Sequence, residues 1–206
     1  RRQREPDEGI MTAIAQGRSD GRLSDDEVSG YMLQLAAAGN ETTRNAIAIG
    51  LHALLLRPDQ MALLRSHGGV MPEAAIDEIL RFASPAIHTC RRAAVDVEIH
   101  GQKIRAGETI AMMLSAANFD PRRLDAPERF DLTRQPNEHL AFGIATHICL
   151  GMHVARTELK VIFEELLRRA PTIIPEGEVE FVRDNLIHGI KKMPLTISRE
   201  GRQAAA

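Results

Sequence analysis

The sequence of 206 residues contains no tryptophan, one tyrosine and six phenylalanines, so aromatic residues make up only 3% of the chain. A hydrophobic core is therefore expected to consist of aliphatic side chains and methionine. There are only two cysteines, Cys90 and Cys149. This argues against a disulfide scaffold and fits a reducing cytoplasm, where we expect the protein to be located.

An excess of charge of one sign and long apolar runs are also lacking. The net charge of −2 gives no basis for binding nucleic acid or an anionic membrane surface. No apolar run reaches the roughly 20 residues that span a membrane, and no signal peptide is recognisable. With 44% hydrophobic residues, the sequence predicts one globular domain over residues 1–206.

The most informative segment, F-G-I-A-T-H-I-C-L-G, runs from Phe142 to Gly151 and places Cys149 just ahead of a predicted helix. The N–H groups and positive dipole end of a helix N-terminus favour the thiolate form of cysteine. Gly143 allows a tight bend, and Gly151 allows close approach of another body. Together these features predict either a buried structural cysteine or a reactive one.

The neighbours of Cys149 leave several interpretations open. Phe142 and Ile148 can shield the sulfur from water, and His147 can reach an anion, as in a haem-iron site with an axial thiolate. Alternatively, Cys149 is a small core hydrophobe, a nucleophile with His147 as base, or a zinc ligand together with Cys90 and scattered histidines.

Two further constellations bear on this choice. Glu78 and Arg81 form an E-x-x-R pair on a predicted helix, and this spacing puts both side chains on one face. Most such pairs are solvated and contribute little. The run A-G-N-E-T-T, Ala38 to Thr43, interrupts an otherwise apolar helix with polar residues. It is either a water-facing patch or a buried polar site that needs partners.

The order A-G-N-E-T-T, E-I-L-R, P-E-R-F (Pro127 to Phe130) and F-G-I-A-T-H-I-C-L-G resembles the cytochrome P450 family of thiolate-haem monooxygenases, in its bacterial soluble form. The resemblance extends from about Glu5 to Ile197. It implies a mainly α fold with small β-sheets (α+β), corresponding to the C-terminal half of a larger protein. One departure is Ala145, which stands where the family's cysteine loop usually has a second glycine.

The resemblance also implies the cofactor and its ligands. Haem b is expected to bind through the thiolate of Cys149, which would be the metal ligand, with His147 and Arg91 facing the haem propionates. Arg92 is an alternative partner for a propionate. Phe142, Gly143 and Gly151 would complete the loop around the haem.

Proton delivery and a structural network are implied in the same way. Glu41 and Thr42 occupy the positions of the acid and alcohol that relay protons to dioxygen, and Gly39 would let the helix open locally there. Thr42 could instead bond back to a carbonyl of its own helix. Glu78, Arg81 and Arg129 would form a buried ion network behind the haem.

The implied substrate is a lipophilic small molecule. The positions that match the family's pocket are mostly small and apolar: Leu35, Ala38, Ala86, Ile87, His88, Leu186 and Ile187. A ferredoxin-type electron donor would dock near Cys149, with Arg156 and Lys160 as candidate contacts. The alternatives are a folded, haem-free, non-catalytic fragment and a peroxide-driven thiolate-haem reaction.

Local patterns predict the elements. A charged helix is expected within residues 1–22, and Ser24 with Glu27 forms a capping box that opens a long, mostly buried helix to about Arg57. Short helices follow at Pro58–His67 and Pro72–Phe82. A hairpin turns at His100-Gly101, and a strand covers Thr109–Leu114. Residues 120–135 are expected to be irregular. The last helix, Gly151–Arg169, would bury Val154, Leu159, Ile162 and Leu166, and short strands with a turn near His188-Gly189 end the chain.

Overall fold

A computed structural model describes residues 8–198 of the chain. In this part the polypeptide forms six α-helices and one short 3-10 helix. The α-helices are α1 Ile10–Ser19, α2 Asp25–Leu55, α3 Pro58–Ser66, α4 Glu73–Ala83, α5 Leu114–Ala117 and α6 Met152–Arg169, and the 3-10 helix is Ala145–His147. The part of the predicted first helix within residues 1–7 lies outside the described residues.

Within the same range, eight short strands form antiparallel pairs. They are β1 Thr89–Arg92 with β4 Thr109–Met112, β2 Val97–Ile99 with β3 Gln102–Ile104, β5 Thr172–Pro175 with β8 Leu195–Ser198, and β6 Glu180–Phe181 with β7 Ile190–Lys192. The predicted hairpin is confirmed as β2–β3, and residues 120–135 contain neither helix nor strand. The mainly α fold with small sheets is therefore confirmed.

The chain divides into two compact units, with the boundary between Glu41 and Thr42, inside α2. In the N-terminal unit, the predicted capping box opens α2. The backbone N–H of Ser24 donates to the Glu27 carboxylate at 2.8 Å, and the N–H of Glu27 donates to Ser24 Oγ at 3.2 Å. A single domain over residues 1–206 stays a prediction.

The core of the C-terminal unit is mostly aliphatic, as the composition predicts, but it also contains Phe130 and Phe163. It contains buried side chains from the last part of α2, from α4 and from α6, including Leu54, Ile79 and Phe163. Gly50 allows these helices to pack closely, because a Cβ added there would lie 2.6 Å from Ile79 and 3.3 Å from Phe163. This core supports the residues that precede and follow the cysteine segment.

The prediction that α2 is buried on most sides is wrong for its first part. Tyr31 is exposed and Leu33 is 73% exposed, whereas Ile49 and Leu54 are buried. A continuous apolar stretch shows that a helix can be buried but does not supply a packing partner. In the N-terminal unit, α1 has 10 residues, whereas the part of α2 in that unit, residues 25–41, has 17, so α1 is too short to cover it.

The predicted buried face of α6 is also partly wrong. Leu159 is buried as expected, but Val154 is 61% exposed and Ile162 is exposed. The buried stripe consists of Leu159, Phe163 and Leu167, which are spaced four residues apart. Leu166, also expected in this face, is only half-buried.

Two smaller differences concern the end of a strand and the position of a turn. The predicted strand at Thr109–Leu114 ends at Met112, and Leu114 begins α5. The turn expected near His188-Gly189 is instead a bend at residues 185–186.

No single described helix is long and apolar enough to cross a membrane. Only α2 and α3 taken together, bent by 106°, meet that test of length and composition.

Candidate functional site

The segment from Phe142 to Gly151 forms a tight loop that ends at α6. The N–H of Cys149 donates to the carbonyl of Phe142 at 2.9 Å, and the N–H of Gly143 donates to the carbonyl of Leu140 at 2.9 Å. Gly143 has φ of +70°, a conformation that glycine adopts without a steric penalty. The tight bend predicted at this glycine is therefore present.

The side chain of Cys149 is a free, exposed thiol. The N–H of Met152, the first residue of α6, donates to the Cys149 carbonyl at 3.4 Å, so the cysteine lies at the positive end of the helix. A Cβ added at Gly151 would lie 4.0 Å from Sγ, which is ordinary contact. Gly151 is expected to allow close approach of another body, and no part of the described chain takes up that space.

Large apolar side chains in the same loop are exposed. Ile144, Ile148 and Leu150 all present most or about half of their surface to solvent. Phe142 is half-buried and packs against the hydrophobic core, so its ring holds the loop against that core. An accessible thiol among exposed apolar residues fits an apolar group that carries a metal, and these residues therefore fit haem.

Ala145 occupies the first position of the 3-10 helix with φ of +60°. This is the left-handed region, in which a Cβ crowds the backbone at a cost of about 1–2 kcal/mol. The departure from the family pattern therefore falls at a position whose conformation favours glycine. The loop retains its shape with alanine there, under local strain.

The residues expected at the propionates lie on two different elements. His147 is exposed at the end of the 3-10 helix. Arg91 is half-buried in β1 and donates to the Cys90 carbonyl at 2.8 Å. The alternative, Arg92, is exposed on the other face of the strand and donates to the Gly107 carbonyl at 3.1 Å. Arg91 and Arg92 therefore lie on opposite faces of β1 and bond to different carbonyl groups.

The residues expected at the proton relay lie on α2. The helix is continuous through Gly39, so the local opening predicted there is not present. Glu41 is exposed and Thr42 is half-buried. Leu35 is half-buried and Ala38 exposed on the same helix.

The positions expected to line the substrate pocket near Pro85 lie together. Ala86 and Ile187 form an isolated antiparallel bridge, and the N–H of Ile87 donates to the carbonyl of Leu186 at 2.9 Å. His88, which follows, is half-buried. Two segments about 100 residues apart in sequence thus pair through their backbones. Their role in lining a pocket stays a prediction.

Glu78 and Arg81 form a fully buried ion pair on α4, with both side chains 0% exposed. Arg81 Nε donates to Glu78 Oε2 at 2.7 Å and Nη2 donates to Oε1 at 2.8 Å. The remaining N–H groups of Arg81 reach the carbonyls of Asn118 and Pro127, each at 2.8 Å. The pair thereby ties α4 to the irregular segment after α5, because buried charges require such partners.

The expected place of Arg129 in this network needs a correction. Its side chain is 68% exposed and faces Asp131 at 3.4 Å, and only its backbone carbonyl accepts from Arg81, at 3.2 Å. Arg134 takes the buried position instead, with Nε 3.2 Å from Glu78 Oε2. The exposed guanidinium of Arg129 avoids a third buried positive charge beside one carboxylate.

Other members of this network have no recognisable signal in the sequence. Asn137 Nδ2 donates to Glu78 Oε2 at 3.0 Å, and the buried side chain of Asn118 bridges Ser84 and the N–H of Leu140. These partners are separated by 20 to 60 residues, and no spacing rule connects them. The only indication of these contacts in the sequence is the irregular, proline-containing character of residues 120–135.

Several known proteins are similar to this chain in sequence. Residues 71–196 match the cytochrome P450 family model. The chain is 37% identical over 201 residues to a steroid C26-monooxygenase of Mycobacterium tuberculosis (strain CDC 1551 / Oshkosh), covering 96% of this chain and 54% of that protein. It is 38% identical over 191 residues to a methyl-branched lipid omega-hydroxylase of Mycobacterium bovis, covering 92% and 45%.

Solved structures agree. The Mycobacterium marinum cytochrome P450 CYP268A2 in complex with pseudoionone matches with a TM-score of 0.89 and 41% identity, over 95% of this chain and 47% of that one. The chain belongs to the cytochrome P450 family, whose members bind haem b through a cysteine thiolate and act as oxidoreductases. It spans about half the length of the curated relatives it matches.

Proposed function

We propose that this chain is the thiolate-bearing part of a haem monooxygenase, which hydroxylates a lipophilic small molecule with dioxygen. The observation that carries the proposal is the exposed Cys149 thiol at the N-terminus of α6, held by the bond between its N–H and the Phe142 carbonyl. When bound, haem supplies the iron that activates dioxygen, and thiolate ligation favours cleavage of the O–O bond.

In this proposal, Cys149 would hold the haem iron through its sulfur. Cys149 lies at the positive end of α6, and the apolar side chains of Ile144, Ile148 and Leu150 would keep water from the sulfur once they are covered. His147 and Arg91 donate hydrogen bonds to the two propionates. Arg91 suits this role because its planar guanidinium pairs with carboxylate oxygens.

Glu41 and Thr42 are assigned the proton relay on the strength of the family motif A-G-N-E-T-T. An exposed carboxylate next to a half-buried hydroxyl on one helix can hold and pass protons through water. In the structure, α2 is continuous at Gly39, so any local opening there would have to form when the site is used.

The proposed substrate is lipophilic, because Ala86, Ile87, Leu186 and Ile187, whose backbones pair, all carry apolar side chains. The printed names of the relatives, a steroid C26-monooxygenase and a methyl-branched lipid omega-hydroxylase, support this class. A ferredoxin-type donor supplies the electrons, without participation of nucleic acid or membrane, and we propose a cytoplasmic location. Lys160 can take part in docking, whereas Arg156 is already engaged by Asp77 at 2.5 Å.

The test is an absorption spectrum of the purified chain after haem addition, reduction and exposure to carbon monoxide. We expect the strongly red-shifted band of a thiolate-ligated iron in the unchanged chain and in Cys90→Ser, and its loss in Cys149→Ser. A haem carbonyl band without the red shift would contradict ligation by Cys149. Absence of any haem band would favour the alternative, a folded, haem-free and non-catalytic fragment.

A further inference from the structure

A second cluster of charged and aromatic side chains lies beneath the cysteine segment and is used by none of the roles above. Asp77 on α4 accepts hydrogen bonds from His139 Nε2 at 3.2 Å and interacts with Arg156 Nη2 on α6 at 2.5 Å. The side chain of His139 is only 5% exposed. The cluster therefore joins two core helices to the residues that lead into the loop.

The backbone indicates which tautomer His139 adopts in this geometry. The N–H of Ala141 donates to His139 Nδ1 at 3.2 Å, and a backbone N–H can only donate. Nδ1 therefore carries no proton, and the proton on Nε2 points to the Asp77 carboxylate. Burial raises the pKa of Asp77, but the hydrogen bonds from His139 and Arg156 outweigh it, so the pKa lies below its usual range.

Phe142 connects this cluster to Cys149. The guanidinium carbon of Arg156 lies 5.5 Å from the centre of the Phe142 ring, within the range of cation–π attraction. The ring of His139 lies 5.9 Å from it at an angle of 56°. The carbonyl of the same phenylalanine accepts the N–H of Cys149 at 2.9 Å. Phe142, whose ring contacts both Arg156 and His139, thus holds the backbone amide of Cys149.

We propose that Asp77, His139 and Arg156 act as positioning residues, which hold Phe142 and through it the backbone of Cys149. This inference deepens the proposed function, since the iron ligand would be placed by the cluster. Neither His139 nor Asp77 needs to touch a cofactor or substrate for this role. The coupling exists in the polypeptide itself, so it can be measured without haem.

The experiment is amide hydrogen exchange of the full haem-free chain, read at Cys149 by NMR. In His139→Leu the imidazole is lost at both nitrogens, and we expect exchange at Cys149 to accelerate about tenfold, as removal of one buried hydrogen-bond partner implies. His139→Asn keeps an acceptor near the Nδ1 position but removes the ring beside Phe142 and the bond to Asp77, so we expect only part of the protection to return, with an acceleration between about threefold and tenfold.

A matched control and a second variant keep the test decisive. His67→Leu removes a histidine whose Nδ1 contacts the Leu63 carbonyl in its own helix, and we expect no change at Cys149. If His139→Leu does not fold, Arg156→Met removes the cation above the Phe142 ring and should still accelerate exchange at Cys149. Unchanged exchange at Cys149 in the folded variants, or equal acceleration in His67→Leu, would overturn the proposal.

The result is separable from the fate of the proposed function. A missing red-shifted carbonyl band would refute ligation by Cys149 but would leave the exchange rates as evidence for the cluster. Conversely, unchanged exchange would remove the positioning role even if the carbonyl spectrum were that of a thiolate-ligated haem.

Discussion

Ala145 is the residue at which this chain departs from the family's cysteine loop. Its φ of +60° lies in a region where L-residues other than glycine are disfavoured. The neighbouring Gly143, with φ of +70°, meets the same demand with the residue that suits it. The loop therefore contains two left-handed residues, of which one is strained.

Replacing Ala145 by glycine should stabilise the chain. Relief of the left-handed strain is worth about 1–2 kcal/mol and is partly offset by the greater freedom of glycine in the unfolded chain, so we expect a net gain of about 0.5–1 kcal/mol. Urea unfolding, followed by far-UV circular dichroism, measures this difference.

The control is Ala37→Gly, an exposed position within α2. Glycine there should destabilise by up to about 1 kcal/mol, because the backbone is already in the right-handed helical region. A loss of stability in Ala145→Gly as large as that in Ala37→Gly would show that the loop strain does not exist.

Helix α4 is joined to the irregular segment after α5 through one carboxylate. Glu78 receives five donor groups, from Arg81 twice and from Asp131, Arg134 and Asn137 once each. Both oxygens are in use and no solvent reaches the side chain. A network of this kind is costly to break, since the remaining charges stay buried.

Glu78→Gln should destabilise the chain by about 3–5 kcal/mol, because an amide has one acceptor oxygen and places a donor against Arg81 and Arg134. Thermal and urea unfolding of the variant measure this loss. If the variant does not fold, Asn137→Ala, which removes one of the five donors, should show a smaller loss.

Glu165→Gln is the matched control for this prediction. Glu165 also pairs with two arginines, Arg168 and Arg169, but on the exposed surface of α6. We expect little change in its unfolding midpoint, since exposed ion pairs are screened by water. Equal losses in both variants would contradict the special role of the buried network.

The molecule as a whole should lose stability on acidification, in two steps. Burial, with the charge of Arg57, lowers the pKa of His52, so the unfolded chain takes up a proton there first, below about pH 6.5. Hydrogen bonds from Arg122 lower the pKa of Asp120 to about 2, and Thr133 lowers that of Asp131. The stability contributed by these carboxylates is present above about pH 4 and is lost as the pH falls towards 2.

Urea midpoints measured from pH 8 to pH 3 test this expectation. The midpoint should be level above pH 7, fall slightly between pH 6.5 and 5, and fall steeply below pH 4. His52→Gln should abolish the first fall and leave the second. A midpoint that rises on acidification would contradict the assigned directions of the pKa changes.

Sequence reasoning succeeded where the interactions are local. The Ser24–Glu27 capping box and the β2–β3 hairpin involve residues three or a few positions apart, and the structure forms both. It failed for the first part of α2 and for one face of α6. In both cases apolar residues were recognised, but their packing partners depend on distant segments that hydrophobic periodicity does not specify.

The sequence by itself determined the chemical group and its setting: one cysteine, Cys149, between a glycine-containing loop and a helix, in the order of motifs that defines the family. Only the tertiary structure decided that Arg134 and not Arg129 pairs with Glu78, and that Asp77, His139 and Arg156 meet around Phe142. The physical reason is that burial and geometry select such charges across 50 to 80 residues of chain, and arginines a few residues apart, such as Arg129 and Arg134, cannot be told apart from the sequence.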